Sequence, residues 1–191
     1  MLPLPEPYLV VLPKQEFIPP YNQHFGVMNP KAVGGVALRD TAEPADKYVW
    51  DMYVVDGTEV FIGKDLSHEL LFTVDNPITW LSFCFDINMN PTVTYVSGGK
   101  SYLYFFDTSL NDVNTIELAD GYTPNLVLDE TRQFNINNAT ILLAYLKQGK
   151  LMVRFQHERF QQEHELYTPK RNKMLWRVGK TVSERIGFYL R

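Results

Sequence analysis

"ILLAYLKQGKLMVRFQHERFQQEHEL", residues 141–166, decides how this chain is read. Apolar residues run into Gly149, resume after Lys150, and give way to His, Glu, Arg and Gln. A catalytic cluster, a metal site, or a strand–turn–strand with a polar outer face would each use these residue types. "AYLKQGKLMVRFQ" reads as a hairpin turning at Gln148-Gly149. A turn this short between antiparallel strands favours positive φ, which glycine adopts without steric cost. Gly149 is therefore expected at positive φ. His157, Glu158, Glu163, His164 and Glu165 then fall on the next strand and its approach. Alternate residues of a strand share a face, which puts His157 with Glu163 and Glu158 with His164. The spacing of the two histidines fits no standard zinc pattern. The expectation is a solvated outer face, with no metal and no catalytic residue.

A second stretch resembles the first. "FDINMNPTVTYVSGGKSYLYFFDTSLNDVNTIEL" ends at Leu118, and "LDETRQFNINNATILLAYLKQGKLMVRFQHERFQQEHEL" ends at Leu166. Aligned on the turn, Tyr95 matches Tyr145, Gly99 matches Gly149 and Lys100 matches Lys150. Gly99→Val is expected to cost less than Gly149→Val, because Gly98 can share the conformation. Each unit reads as an entry strand ending in Asp, a loop, two strands about a tight turn, and a polar closing strand. The units span about 80–118 and 124–166, the size of a four-stranded propeller blade. Further copies before and after are loose, so a partial propeller and a β-sandwich both remain open.

The remainder of 47–191 is also β. "YVWDMYVVDGTEVFI" turns at Asp56-Gly57, and "ITWLSFCFD", "KMLWRV" and "TVSERIGFYLR" are short runs bounded by turn residues. In the last, Val182, Ile186, Phe188 and Leu190 share one face by period-two alternation. No stretch keeps a helical period. The fold class is mainly β, with antiparallel sheets built from repeated four-stranded blade-like units.

Residues 1–46 differ, holding eight of the twelve prolines. Proline fixes φ and removes a ladder donor, so an extended arm is expected rather than a long helix or central strand. Tyr8, Phe17, Ile18, Tyr21 and Phe25 are apolar anchors along it. They suit packing either on the chain's own β domain or on a neighbouring subunit.

Composition excludes several classes. The net charge is −4 without a block of like charges, so neither a nucleic-acid nor a membrane surface is expected. No apolar run reaches the roughly 20 residues of a membrane helix, and no secretory signal is visible. Cys84 is the single cysteine and is expected to be buried. "DINMN" at 86–90 imitates a calcium loop, but Pro91 stands where the loop requires glycine, so a plain turn is expected. No nucleotide, hydrolase or metalloprotease motif occurs, and no cofactor is expected. Tyr102, Tyr104 and Tyr122 are expected in core or interface packing before sugar stacking.

"PTVTYVSGGKSYLYFFD", "NLVLDETR" and the opening stretch together resemble a family of tailed-bacteriophage virion proteins. That family carries an "LDDKR"-like sequence, then "LAY", a glycine turn and a "YRxQRDRFxxE"-like segment. Leu128, Asp129 and Arg132 fit the first motif, while Glu130 and Thr131 depart from it. Arg154, Gln156, Arg159, Phe160 and Glu163 fit the second, while Phe155 and His157 depart. The resemblance covers about 48–191. It implies a structural part of the tail or tail–fibre junction, present in the virion after synthesis in the host cytoplasm. It carries no catalytic residues. The partners it implies are other copies of the chain and neighbouring phage tail proteins. A receptor- or carbohydrate-binding module at the tail tip, touching a host surface glycan, is the alternative.

Asp129, Arg132, Arg154, Arg159 and Glu163 are charges at strand ends between apolar runs. Arg and carboxylate can pair in a bidentate fork. Such pairs are expected to fix register between the repeated units or between subunits, against the plain reading that each charge is solvated.

Overall fold

The computed structural model describes residues 8–11, 33–39, 47–64, 67–86, 88, 90–129, 140–170, 173–180 and 186–191. Among these residues, fifteen strands form four sheets. Sheet I is β2 (Val33–Arg39), β3 (Lys47–Val55), β4 (Glu59–Lys64) and β5 (Ser67–Thr73). Sheet II is β6 (Ile78–Phe85), β7 (Pro91–Ser97), β8 (Lys100–Asp107) and β9 (Asp112–Glu117). Sheet III is β10 (Gly121–Asp129), β11 (Thr140–Lys147), β12 (Lys150–Phe155) and β13 (His164–Tyr167). In each of these three, strands follow one another in chain order and pair antiparallel. Sheet IV joins β14 (Leu175–Lys180) and β15 (Ile186–Leu190) to β1 (Tyr8–Val11), in the order β1-β15-β14. The protein is mainly β, as the short β-branched and aromatic runs predict.

The tight turns follow from their residues. φ is 49° and 79° at Asp56-Gly57, 58° and 77° at Gly98-Gly99, and 51° and 77° at Gln148-Gly149. Two successive positive φ values match the right-handed twist of the flanking strands, which is why Asn/Asp/Gly pairs serve there. Gln148 takes the left-handed position that Gly98 takes in the preceding unit. Gly149 thus has the positive φ expected of it. The geometry at Gly99 and Gly149 gives no ground for the expected difference between them. Both sit at φ 77° with no atom within 4 Å of an added Cβ, and Gly98 is itself already left-handed. Valine at either position is expected to cost about the same, about 1–3 kcal/mol, from backbone strain alone. Urea denaturation of the two variants checks this, and unchanged midpoints would mean loose loops rather than hairpins.

The sheets pack on one another in chain order through three apolar layers. Met52, Val60 and Ile62 of sheet I share a core with Leu81, Phe83 and Val93 of sheet II. Cys84, Leu103 and Phe105 of sheet II share one with Leu128, Leu143 and Tyr145 of sheet III. Leu142, Ala144, Val153 and Phe155 of sheet III share the last with Leu175, Val178 and Phe188 of sheet IV. Sheet III is therefore covered on both faces. That explains why β11 reads "TILLAYLK" as a nearly unbroken apolar run instead of alternating. Successive residues of β11 serve opposite layers: Ile141, Leu143 and Tyr145 one, Leu142, Ala144 and Leu146 the other.

β10 lies against both β6 and β14. Pro124 stands in β10 beside a register shift between Tyr122 and Asn125, the kind of position where a strand tolerates a missing donor. Its carbonyl accepts from Trp80 Nε1 at 2.7 Å and from Thr94 Oγ1 at 3.0 Å, binding β10 to sheet II. Ser101 Oγ donates to the Gly121 carbonyl at 2.6 Å, three residues before Pro124.

Two strands lie among the described residues of the proline-rich first 46. β2 pairs antiparallel with β3, and β1 pairs in parallel with β15. Strand pairing thus crosses position 46. Tyr8 belongs to β1, while Phe17, Ile18, Tyr21 and Phe25 lie outside the described residues. Of the expected apolar face, Ile186, Phe188 and Leu190 lie in the core, and Val182 lies outside the described residues. The other face of β15 is covered too: Gly187 is buried and Tyr189 is only 4% exposed.

Candidate functional site

The polar stretch after β12 does not continue as a strand. Gln156–Glu158 forms one short 3-10 turn, followed by Arg159 and Phe160 at φ 54° and 56°. Two consecutive non-glycine residues in the left-handed region are costly, on the order of 1 kcal/mol or more each. Tertiary contacts hold them there. Phe160 is fully buried and meets Phe105 of sheet II edge to face, with ring centroids 5.0 Å apart. The Phe160 amide donates to the Phe155 carbonyl at 2.9 Å, closing the loop. The reversal explains why His157 and Glu163 do not share a strand face.

Four side chains gather behind this loop. Tyr145 and Lys147 come from β11, Arg154 from β12, and Glu163 from just before β13. Arg154 Nε donates to the Tyr145 phenol oxygen at 2.8 Å, Nη1 to the Phe160 carbonyl at 2.8 Å, and Nη2 to Glu163 Oε1 at 2.7 Å. The Tyr145 hydroxyl donates to Glu163 Oε1, and Lys147 Nζ to Glu163 Oε2 at 2.7 Å. One rigid guanidinium fork thus serves three acceptors, a task lysine's point charge cannot perform. Glu163 is turned inward onto this network rather than outward to solvent, a correction to the outer-face expectation.

The loop also reaches sheet II. Arg159 Nε and Nη2 both donate to Asp107 Oδ2, at 2.9 and 2.7 Å, across 52 residues of sequence. Asp107 ends β8, is only 3% exposed, and receives the Ser109 amide and hydroxyl on its other oxygen. Gln156 Nε2 donates to Asp86 Oδ2 at 3.1 Å, across 70 residues, while its Oε1 accepts from the Ile141 amide at 3.3 Å. Asp86 Oδ1 accepts from the Asn88 and Asn90 amides, both at 2.9 Å. The "DINMN" stretch is thus closed by its own aspartate. The loop 156–163, with Arg154 at the end of β12, is a clasp: Phe160 plugs the layer between sheets II and III, and ion pairs and amides latch it on either side.

Electrostatics follow from that placement. Burial pushes the Glu163 carboxyl up, but hydrogen bonds from Lys147, Tyr145 and Arg154 outweigh it and hold it at about 2. Burial, then the Glu163 carboxylate, raises the Tyr145 phenol well above its ordinary range. Asp107 is lowered by the Ser109 hydroxyl first, against burial, with Arg159 adding to the effect. A depressed carboxylate contributes stability that is complete above its unfolded value and lost as pH falls through its folded value. For Glu163 that window runs from its ordinary 4.5 down to about 2. Urea midpoints measured from pH 6 to 2.5 are expected to fall less steeply in Glu163→Gln than in the parent chain. Parallel curves would mean that the carboxylate titrates without being coupled to folding.

Of the charges singled out in the sequence, Arg154 and Glu163 meet directly, and Arg159 crosses to the neighbouring sheet. Asp129 ends β10, buried at 2% exposure. Arg132 lies outside the described residues. Tyr145, Lys147, Asp107 and Asp86 complete the clasp and were not foreseen as members. Tyr145 was hidden inside an apolar run, and the two aspartates lie in another unit. His164 Nε2 and Glu158 Oε2 lie 2.7 Å apart on the outer side of the loop, and the His157 ring contacts Thr140 Oγ1 at 3.3 Å. Among the described residues no group of three His, Cys, Asp or Glu side chains could hold a metal. Cys84 is buried. Tyr102 and Tyr104 are half-buried in stacked rings with Tyr95 and Phe72 respectively, whereas Tyr122 stands 64% exposed.

Compared with protein-family models, with curated proteins and with solved structures, the chain matches none.

Proposed function

We propose that this protein is a non-enzymatic structural component of a bacteriophage tail, making subunit contacts in a symmetric assembly. The observation that carries the reading is where the motif residues converge. Arg154, Gln156, Arg159, Phe160 and Glu163 carry the resemblance, and all five serve the sheet-to-sheet clasp. Their chemistry goes into rigidity, which suits a part that bears load and presents β surfaces to neighbours. The four sheets are read as blade-like units of a partial propeller. Sheets stacked face to face in chain order, with β10 against β6 and β14, favour that over a two-layer sandwich.

Immunogold electron microscopy of purified particles carrying a tagged copy tests the assignment. Gold at the tail is expected, and gold on the capsid shell or none on the particle overturns it. The second reading, a carbohydrate-binding module, is favoured by one observation, the exposed ring of Tyr122. Specific binding on a glycan array, abolished in Tyr122→Ala, would favour that reading.

A further inference from the structure

β1 is the only strand in the described residues that pairs in parallel, and its partner lies at the far end of the described chain. Tyr8 stands opposite Ile186, Leu9 opposite Gly187, Val10 opposite Phe188 and Val11 opposite Tyr189. No turn fixes this pairing. β1 is an edge strand held by a single four-residue ladder. Such elements lie at the low end of local stability and open without unfolding the rest.

Its acceptor is different in kind. All five residues of β15 are buried, on both faces, and β14 occupies only one of its edges. The remaining edge carries backbone donors and acceptors that require a strand beside them.

We propose that β1 is an exchangeable strand, and that in the assembly the β15 edge of one copy receives the β1 of a second copy of this chain. The proposal rests on the reading of the protein as a multi-copy structural part. The contacts made are the same within a chain and between chains, so geometry and local concentration choose between them. Residues 12–32, which join β1 to β2, include Pro13, Pro19, Pro20 and Pro30. Covalent geometry alone lets a chain of this length span at most about 70 Å. That is more than the diameter of a small domain, so a neighbour's β15 is within range. Held side by side in a symmetric array, each copy meets its neighbour's edge at an effective concentration comparable to that of its own. Exchange then ties every copy to the next through main-chain hydrogen bonds, with no new surface needed.

Cysteine pairs in register read the pairing directly, since strand neighbours lie within disulfide range. Cys84 is buried and stays out of the reaction. Val11→Cys and Tyr189→Cys are made as single variants, and Leu9→Cys and Gly187→Cys as an independent second pair, which guards against misfolding of the first. Each pair of single variants is co-expressed, concentrated and oxidised, then run on a non-reducing gel. The expected result is a disulfide-linked heterodimer from the co-expressed mixture, with a ladder of higher species from the double variant on one chain. Only intramolecular crosslinks in the double variant, together with no heterodimer from either mixture, would overturn exchange. That outcome leaves the tail assignment standing if gold still labels the tail, and a ladder without particle labelling separates the two readings the other way.

Discussion

Phe160→Ala is expected to destabilise the protein by about 3–5 kcal/mol, the range for truncating a fully buried phenylalanine. The ring fills the layer between sheets II and III, against Phe105 and beside Leu103 and Leu143. Truncation leaves a cavity that rigid strands on both sides cannot close. Backbone strain does not soften the loss, because alanine at φ 56° is strained like phenylalanine. The latches lean on the plug: without it, only the Arg159–Asp107 pair and the backbone bonds of Phe160 to Phe155 and Arg154 oppose the strain at residues 159 and 160. Thermal and urea denaturation measure the loss, and the Asp107–Arg159 contact is expected to weaken with it. A change under 1 kcal/mol would mean that the loop merely rests on the sheets.

Arg154→Met is expected to cost about 3 kcal/mol, the low end for breaking a buried ion pair from one side. The low end applies because Glu163 keeps Lys147 and is 24% exposed. What is lost is the fork that joins Tyr145, the Phe160 carbonyl and Glu163. Arg154→Lys keeps the charge but cannot reach three acceptors in fixed directions, so most of the loss is expected to remain. Combining Arg154→Met with Glu163→Gln is expected to cost less than the sum of the two, since each removes the other's partner. Additive costs in the urea-measured cycle would show that the two side chains act independently.

Much of the β architecture was legible because it rests on local rules. Asp56-Gly57, Gly98-Gly99 and Gln148-Gly149 mark turns by the φ values they permit. The runs between them mark strands by length and by β-branched and aromatic content. The apolar face of Ile186, Phe188 and Leu190 was readable from alternation alone. The pairing of Arg154 with Glu163 was within reach, because both flank one short loop.

The clasp was not legible, and the reason is physical. Nothing in "QHERF" demands two left-handed residues. Glycine is the local signal for that conformation, and none is present. Phe160 and Arg159 adopt it because burial against Phe105 and pairing with Asp107 outweigh the strain. Those partners belong to another unit, and period and spacing carry no information about them. The same holds for β11, whose unbroken apolar run meant burial on two sides without saying by what. It holds for β1, whose partner lies at the other end of the described chain. Local residue chemistry determined where this chain turns and extends. The stacking of sheet on sheet decided which face each side chain serves, because only there do groups distant in sequence compete for the same buried space.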